Sequence, residues 1–301
     1  MKIGYPCINN SILRTCPSTF RLASYSEYKL IQTIRGNLAH LSQILNYNVN
    51  HGLLFFRISS DLIPFASHPI CKLDWVKLFN SEFKQIGAFI GKHGIRVSMH
   101  PDQFVILNSP NNAIIKSSIS ELKYHCKVLD AMQLDETAKV QIHVGGVYGN
   151  KIEALTRFAR TYNTLNNAIR RRLVIENDDH LYHLKDCLDL NRRIDIPIVL
   201  DSYHHELLSN GESIKFALMK AKLTWHFGRD GLPIVDYSSP YVGNEENSDK
   251  GRKGKHAQRI DAASFKKFLK ETEGFDFDVM LEIKDKEKSA LKALGILNSW
   301  F

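Results

Sequence analysis

Eight short apolar runs alternate with stretches of helical periodicity along this chain, and that alternation predicts a single-domain (β/α)8 barrel, the TIM barrel. Two further observations support it. The 301 residues, 44% of them hydrophobic, can bury one large core at a length such barrels commonly reach. Histidines and carboxylates also recur where the apolar runs stop, as expected if the strand ends converge on one face that carries a site.

Residues 2–7 predict the first strand, which leaves through Gly4-Tyr5-Pro6-Cys7. Residues 24–47 place Leu30, Ile31, Ile34, Leu38, Leu41 and Leu45 at helical spacing. The second strand, 53–59, leads into a loop carrying His68, and 75–90 is helical again. Strand three, 95–99, ends at His100, where Pro101 has no N–H to continue a ladder. Asp102, Gln103 and an exposed-looking Phe104 follow the turn. Between helices at 119–129 and 152–165, strand four (139–143) ends in His143 before two glycines. Strand five, 173–176, ends in Glu176; after a helix at 181–190, strand six (196–201) ends in Asp201, with His204 three residues on.

A helix over 212–222 precedes two alternatives for strand seven. Either 223–227 supplies it, offering His226, or 233–239 does, offering Asp236. Residues 240–255 are polar and basic, with Lys250, Arg252, Lys253 and Lys255, and predict a mobile loop within a single 1–301 domain. A helix over 256–269, an eighth strand over 278–283 carrying Glu282, and a short last helix complete the alternation.

One histidine at a strand end is ordinary packing, but a ring of them with carboxylates is costly to bury unpaired. Shared divalent cations resolve that cost. Imidazole nitrogen with carboxylate oxygen and no sulfur suits Mn²⁺ or Zn²⁺, and less well Fe or Co²⁺. The ring offers more ligands than the roughly six one ion takes, so two or three ions are expected. Paired metals about 3.5–4 Å apart promote phosphodiester cleavage. A formal charge of +8 suits a polyanionic partner. Hydrolysis of a nucleic-acid backbone is therefore the expected chemistry. Gln103 and Phe104 would then probe unstacked bases, or else form a solvated amide and a ring packed on the rim. Five cysteines, odd in number and never Cys-x-x-Cys, predict a reduced intracellular protein with neither a disulfide frame nor a cysteine zinc site. No run approaches the roughly 18 apolar residues of a membrane span, and the first residues show no signal pattern.

Several stretches go further. Arg57-Ile-Ser-Ser-Asp-Leu-Ile-Pro-Phe-Ala-Ser-His68, His100-Pro-Asp-Gln-Phe, Glu176-Asn-Asp and Asp201-Ser-Tyr-His-His resemble the UV damage endonuclease family. So do Gly4-Tyr5-Pro6, Tyr237-Ser-Ser and Leu281-Glu-Ile-Lys-Asp-Lys-Glu287, and the resemblance spans nearly the whole chain. It implies a TIM barrel related to endonuclease IV and to the xylose isomerase type, with a manganese-type metal cluster. The activity implied is a nick in damaged double-stranded DNA immediately 5′ to a pyrimidine dimer or 6-4 photoproduct, with the damaged bases flipped out. It further implies a monomer that needs no protein partner.

Carried over by motif, the metal ligands are His68, His100, His143, Glu176, Asp201, His204, His256 and Glu282. His100, His143, Glu176, Asp201 and Glu282, with Tyr5, fall at the catalytic centre. Gln103 and Phe104 fall on the damage-probing pair, and Tyr5 and Asn9 on the cleft near the incised phosphate. Arg252 and Lys253 offer phosphate contacts. Two departures stand out. Phe104 replaces the tyrosine usual after the probing glutamine. In strand seven the family commonly has Lys-x-His; matching Thr224-Trp225 and Tyr237-Ser238 puts Ile234 at the lysine and Asp236 at the histidine, as an oxygen ligand. The family lysine can be carboxylated and bridge metals, a bridge that Ile234 cannot make. The competing alignment makes His226 the ligand. Rival functions on the same barrel are an endonuclease IV-like enzyme for abasic DNA, a metal-dependent sugar isomerase and a non-catalytic DNA-binding module.

Overall fold

Residues 1–13, 18–240 and 255–300 are described by the computed structural model. Eight strands pair in parallel in chain order: β1 (Ile3–Pro6), β2 (Phe55–Ile58), β3 (Arg96–Met99), β4 (Lys139–His143), β5 (Leu173–Glu176), β6 (Ile198–Asp201), β7 (Ile234–Tyr237) and β8 (Asp278–Leu281). β8 pairs with β1, so the sheet closes into the expected (β/α)8 barrel. Helices cover its outside. α1 (Glu27–Asn50) follows β1; α2 (Trp75–Leu78) and α3 (Asn80–Lys92) follow β2; α4 (Asn112–Ala131) follows β3. α5 (Lys151–Thr164) and α6 (Asn167–Arg170) follow β4, and α7 (Leu184–Ile194) follows β5. α8 (Ser202–Leu207), α9 (Ile214–Lys222) and α10 (Phe227–Asp230) lie between β6 and β7, and α11 (Ala262–Glu271) and α12 (Glu287–Asn298) flank β8.

Polar side chains start α1, α4, α5, α9 and α11. Ser26, Asn111, Asn150, Ser213 and Asp261 each accept a hydrogen bond from an N–H of the following turn. α1 shows the packing rule: Leu30, Ile34, Leu38, Leu41 and Leu45 recur on one face and are buried against the barrel. Among the described residues, no helix is long and apolar enough to cross a membrane.

Strand parity organises the interior. Side chains two residues apart share a face. Phe55, Val174, Val199, Ile234 and Met280 form an apolar layer inside the barrel with Trp225, apart from the larger core between strands and helices. Two residues further along the same strands come Arg57, Glu176, Asp201, Asp236 and Glu282. The apolar layer is therefore the floor on which the polar ring rests. Beneath it, Arg96 pairs with Asp278 at 2.8 Å and Lys139 with Asp230 at 2.6 Å, while Trp225 donates to the Ile198 carbonyl at 2.7 Å. Gly4 is required here, because a Cβ on it would lie 2.6 Å from the Phe55 carbonyl oxygen.

Some boundaries differ from the sequence expectation. Residues 223–227 do not form a strand: Trp225 turns into the barrel end, and α10 and Gly231 (φ +74°) deliver the chain to β7. α8 was not expected; Asp201 itself caps it, accepting from His204 N at 2.8 Å. His256 precedes α11, outside regular secondary structure, instead of opening the helix. Of the expected basic loop, 240–255, residues 241–254, with Lys250, Arg252 and Lys253, lie outside the described residues.

Candidate metal centre and cleft

The C-terminal strand ends converge three groups of ligand atoms, each with members within 4.8 Å of one another. They are His100, His143 and Glu176; Glu176, Asp201 and His204; and Asp201, Asp236 and Glu282. Glu176 links the first two and Asp201 the last two. One oxygen, Glu176 Oε1, lies 2.7 Å from His100 Nε2 and 3.0 Å from His143 Nε2. His100 Nδ1 is 2.7 Å from the Pro101 carbonyl, which fixes the proton there in the neutral ring and turns a lone pair inward from Nε2. A lone pair facing a carboxylate oxygen is repulsive unless a proton or cation stands between them. Among the described residues, Nδ1 of His143 and of His256 are buried without a hydrogen-bond partner. The donor set and these unmet needs fit bound divalent cations.

Beyond these groups, His256 Nε2 lies 3.4 Å from Glu282 Oε2. Arg57 donates to Glu282 and to both Asp236 oxygens. Burial alone would raise the Glu176 carboxyl, but His143 and His100 outweigh it and hold it well below the usual range. Burial pulls His204 down, yet Asp201 and Glu176 overcome this and raise it to about 9. Burial likewise pushes Asp236 up to about 7 against the pull of Arg57.

A cleft of ≈ 500 Å³ opens above, walled by His100, Gln103 and Phe104 on one side and His256, Glu282 and Lys286 on the other. Phe104 is 69% exposed, so its ring is not packed on the rim, and Gln103 beside it is exposed as well.

Other expected residues lie elsewhere. Tyr5 is 0% exposed and Asn9 is 4% exposed, so neither lines the cleft. Tyr5 has the outward parity of β1; its hydroxyl donates to Asn48 Oδ1 at 2.6 Å and accepts from Asn9 Nδ2 at 2.8 Å, and its ring packs on Phe56. It braces β1 against α1. His68 is exposed, its Nδ1 accepts from Ile70 N at 3.1 Å, and it joins none of the three groups. His226 is exposed at the opposite end of the barrel, 3.2 Å from Asp195, whereas Asp236 reaches the centre. Ile234 lies in the apolar floor.

Sequence reasoning missed Arg57 and Gln141. Gln141 donates to Glu176 Oε2 at 2.5 Å and to Asp236 Oδ2 at 2.6 Å. The signal was strand parity: Gln141 stands two residues before His143, and Arg57 two after Phe55. A polar side chain at an inward position had to have a partner inside.

Comparison with known proteins agrees with this geometry. The family described as "UV-endonuclease UvdE" matches residues 1–300. The chain is 36% identical to the UV DNA damage endonuclease of Clostridium perfringens (strain 13 / Type A), covering 99% of this chain and 71% of that protein. It superposes on the crystal structure of SacUVDE with a TM-score of 0.91 at 41% identity, over 100% of this chain and 99% of the other. Endonuclease IV from Thermus thermophilus superposes with a TM-score of 0.57 at 15% identity, over 87% of this chain and 94% of the other, which shows a common fold.

Proposed function

Since the chain belongs to the UV-endonuclease UvdE family and is a metal-dependent endonuclease that nicks DNA at UV photoproducts, we propose that it cuts damaged duplex DNA immediately 5′ to the lesion. The observation that carries this reading is Glu176, one carboxylate joined to two histidine-containing ligand groups at the barrel mouth. His100, His143, Glu176, Asp201 and His204 would hold the cations, with His256 and Glu282 completing the set at the cleft. Mn²⁺ is the proposed ion; Zn²⁺ and Co²⁺ suit the same donors. Divalent cations bound there supply the positive charge that activates a phosphodiester towards hydrolysis.

The protein's own groups prepare that chemistry. The Pro101 carbonyl sets the His100 tautomer, and paired imidazoles keep Glu176 anionic. Lys286, at the opposite cleft wall, offers a cation to the DNA backbone. Gln103 and Phe104 project into the opening, where they would fill the gap left by a flipped dinucleotide. Phe104 contributes stacking alone, having no hydroxyl. The chain is proposed to act as a monomer.

The test is incision of an end-labelled duplex carrying one pyrimidine dimer, with Mn²⁺ or with EDTA, beside undamaged and abasic duplexes. A metal-dependent cut just 5′ to the dimer is expected, and Glu176→Ala should abolish it while leaving the circular dichroism spectrum unchanged. Cutting confined to the abasic duplex would reject the lesion assignment.

A further inference from the structure

An arginine stands inside the metal centre. Arg57 Nη2 lies 2.9 and 2.8 Å from the two Asp236 oxygens and 3.0 Å from Gln141 Oε1, and Nη1 donates to Glu282. Asp236 Oδ2 also accepts from Gln141 at 2.6 Å. Both oxygens of this fully buried carboxylate therefore already have donors. Two of the three residues in the group of Asp201, Asp236 and Glu282 are bound by a guanidinium only 3% exposed, held by three separate acceptor side chains. Guanidinium stays protonated at any pH the fold tolerates. A divalent ion placed between these carboxylates would meet that fixed charge at contact distance, with little water to screen it. The group also lacks a histidine, whereas the other two groups each have at least one and share Glu176.

Resting on the reading of this site as a metal centre, the geometry points to a two-cation centre in which Arg57 stands in for a third ion and Asp236 ligates none. Gln141 is the spacer of this arrangement. Its amide ties Asp236 to Glu176, so the arginine-bound carboxylate and the cation-bridging one are held at a fixed separation. The charge that a third ion would bring is supplied instead by a side chain that cannot dissociate.

The experiment counts metal per chain by mass spectrometry, after equilibration with Mn²⁺ and removal of free ion, and locates it by anomalous scattering at the manganese edge. Wild type is expected to hold two ions, and Asp236→Asn is expected to hold two as well. Arg57→Met, which opens the third group, should hold three. Three ions in wild type overturn the proposal, as does a fall from two to one in Asp236→Asn. A folded Arg57→Met protein that still holds two also overturns it. If Arg57→Met does not fold, wild type and Asp236→Asn decide between them. A wild-type chain that retains no Mn²⁺ overturns the metal-centre reading itself, an outcome distinct from a count of three.

Discussion

At the level of single residues, the site is an arrangement of charges that neutralise one another in pairs. His204 illustrates the cost: Asp201 and Glu176 raise its pKa to about 9, so near neutral pH the metal-free ring carries a proton. A cation using that ring must displace it. Raising the pH removes the competitor, so apparent Mn²⁺ affinity should climb between pH 6.5 and 9, by roughly tenfold per unit for one proton displaced, and level off above. Calorimetric titrations in buffers of different ionisation enthalpy would count the proton; no pH dependence across that window would contradict the assignment of His204 as a ligand. At the rim, Phe104→Ala should weaken binding to a dimer-containing duplex by about 1–3 kcal/mol, as expected for loss of base stacking. Gln103→Ala should instead narrow the preference for damaged over undamaged duplex, and unchanged preference in a competition assay would remove it from damage probing. His100, His143, Glu176 and Asp201 were legible as a convergent set because each ends an apolar run. The direction of Tyr5 was not legible, because a motif gives identity without direction, and only the parity of β1 shows that the ring faces the helices.

At the level of elements, seven of the eight strands were legible from their apolar runs, and the other differences lie in the connections. The 75–90 stretch breaks at Phe79 into α2 and α3, and α8 follows Asp201 without a loop, capped by Asp201 itself, which periodicity does not record. Strand seven was left between two stretches because both are apolar; the barrel chose the one whose inward positions, Ile234 and Asp236, match the floor and the ring. The helix layer has its own tight point. A Cβ on Gly87 in α3 would lie 1.7 Å from the Met132 carbonyl oxygen, just past α4. Gly87→Ala should therefore push α3 and α4 apart and destabilise the fold by about 1–3 kcal/mol, whatever alanine gains in helix propensity. Urea denaturation would measure it, and a midpoint at or above wild type would show that the helices yield freely.

At the level of the whole molecule, the barrel is closed at one end and open at the other. The apolar layer of Phe55, Val174, Val199, Ile234 and Met280, with the buried Arg96–Asp278 and Lys139–Asp230 pairs beneath, leaves the ligand groups reachable from the strands' C-terminal side. That layout makes the molecule a cup and not a tunnel. A polymer cannot be threaded through it end first; it has to be laid across the lip and dip one stretch inside. Free ends thus offer no advantage, and irradiated covalently closed plasmid should be nicked as fast per lesion as the same DNA after linearisation. Only one strand can dip in at a time, so the first product should be an open circle, with linear molecules appearing only where lesions on opposite strands lie close together.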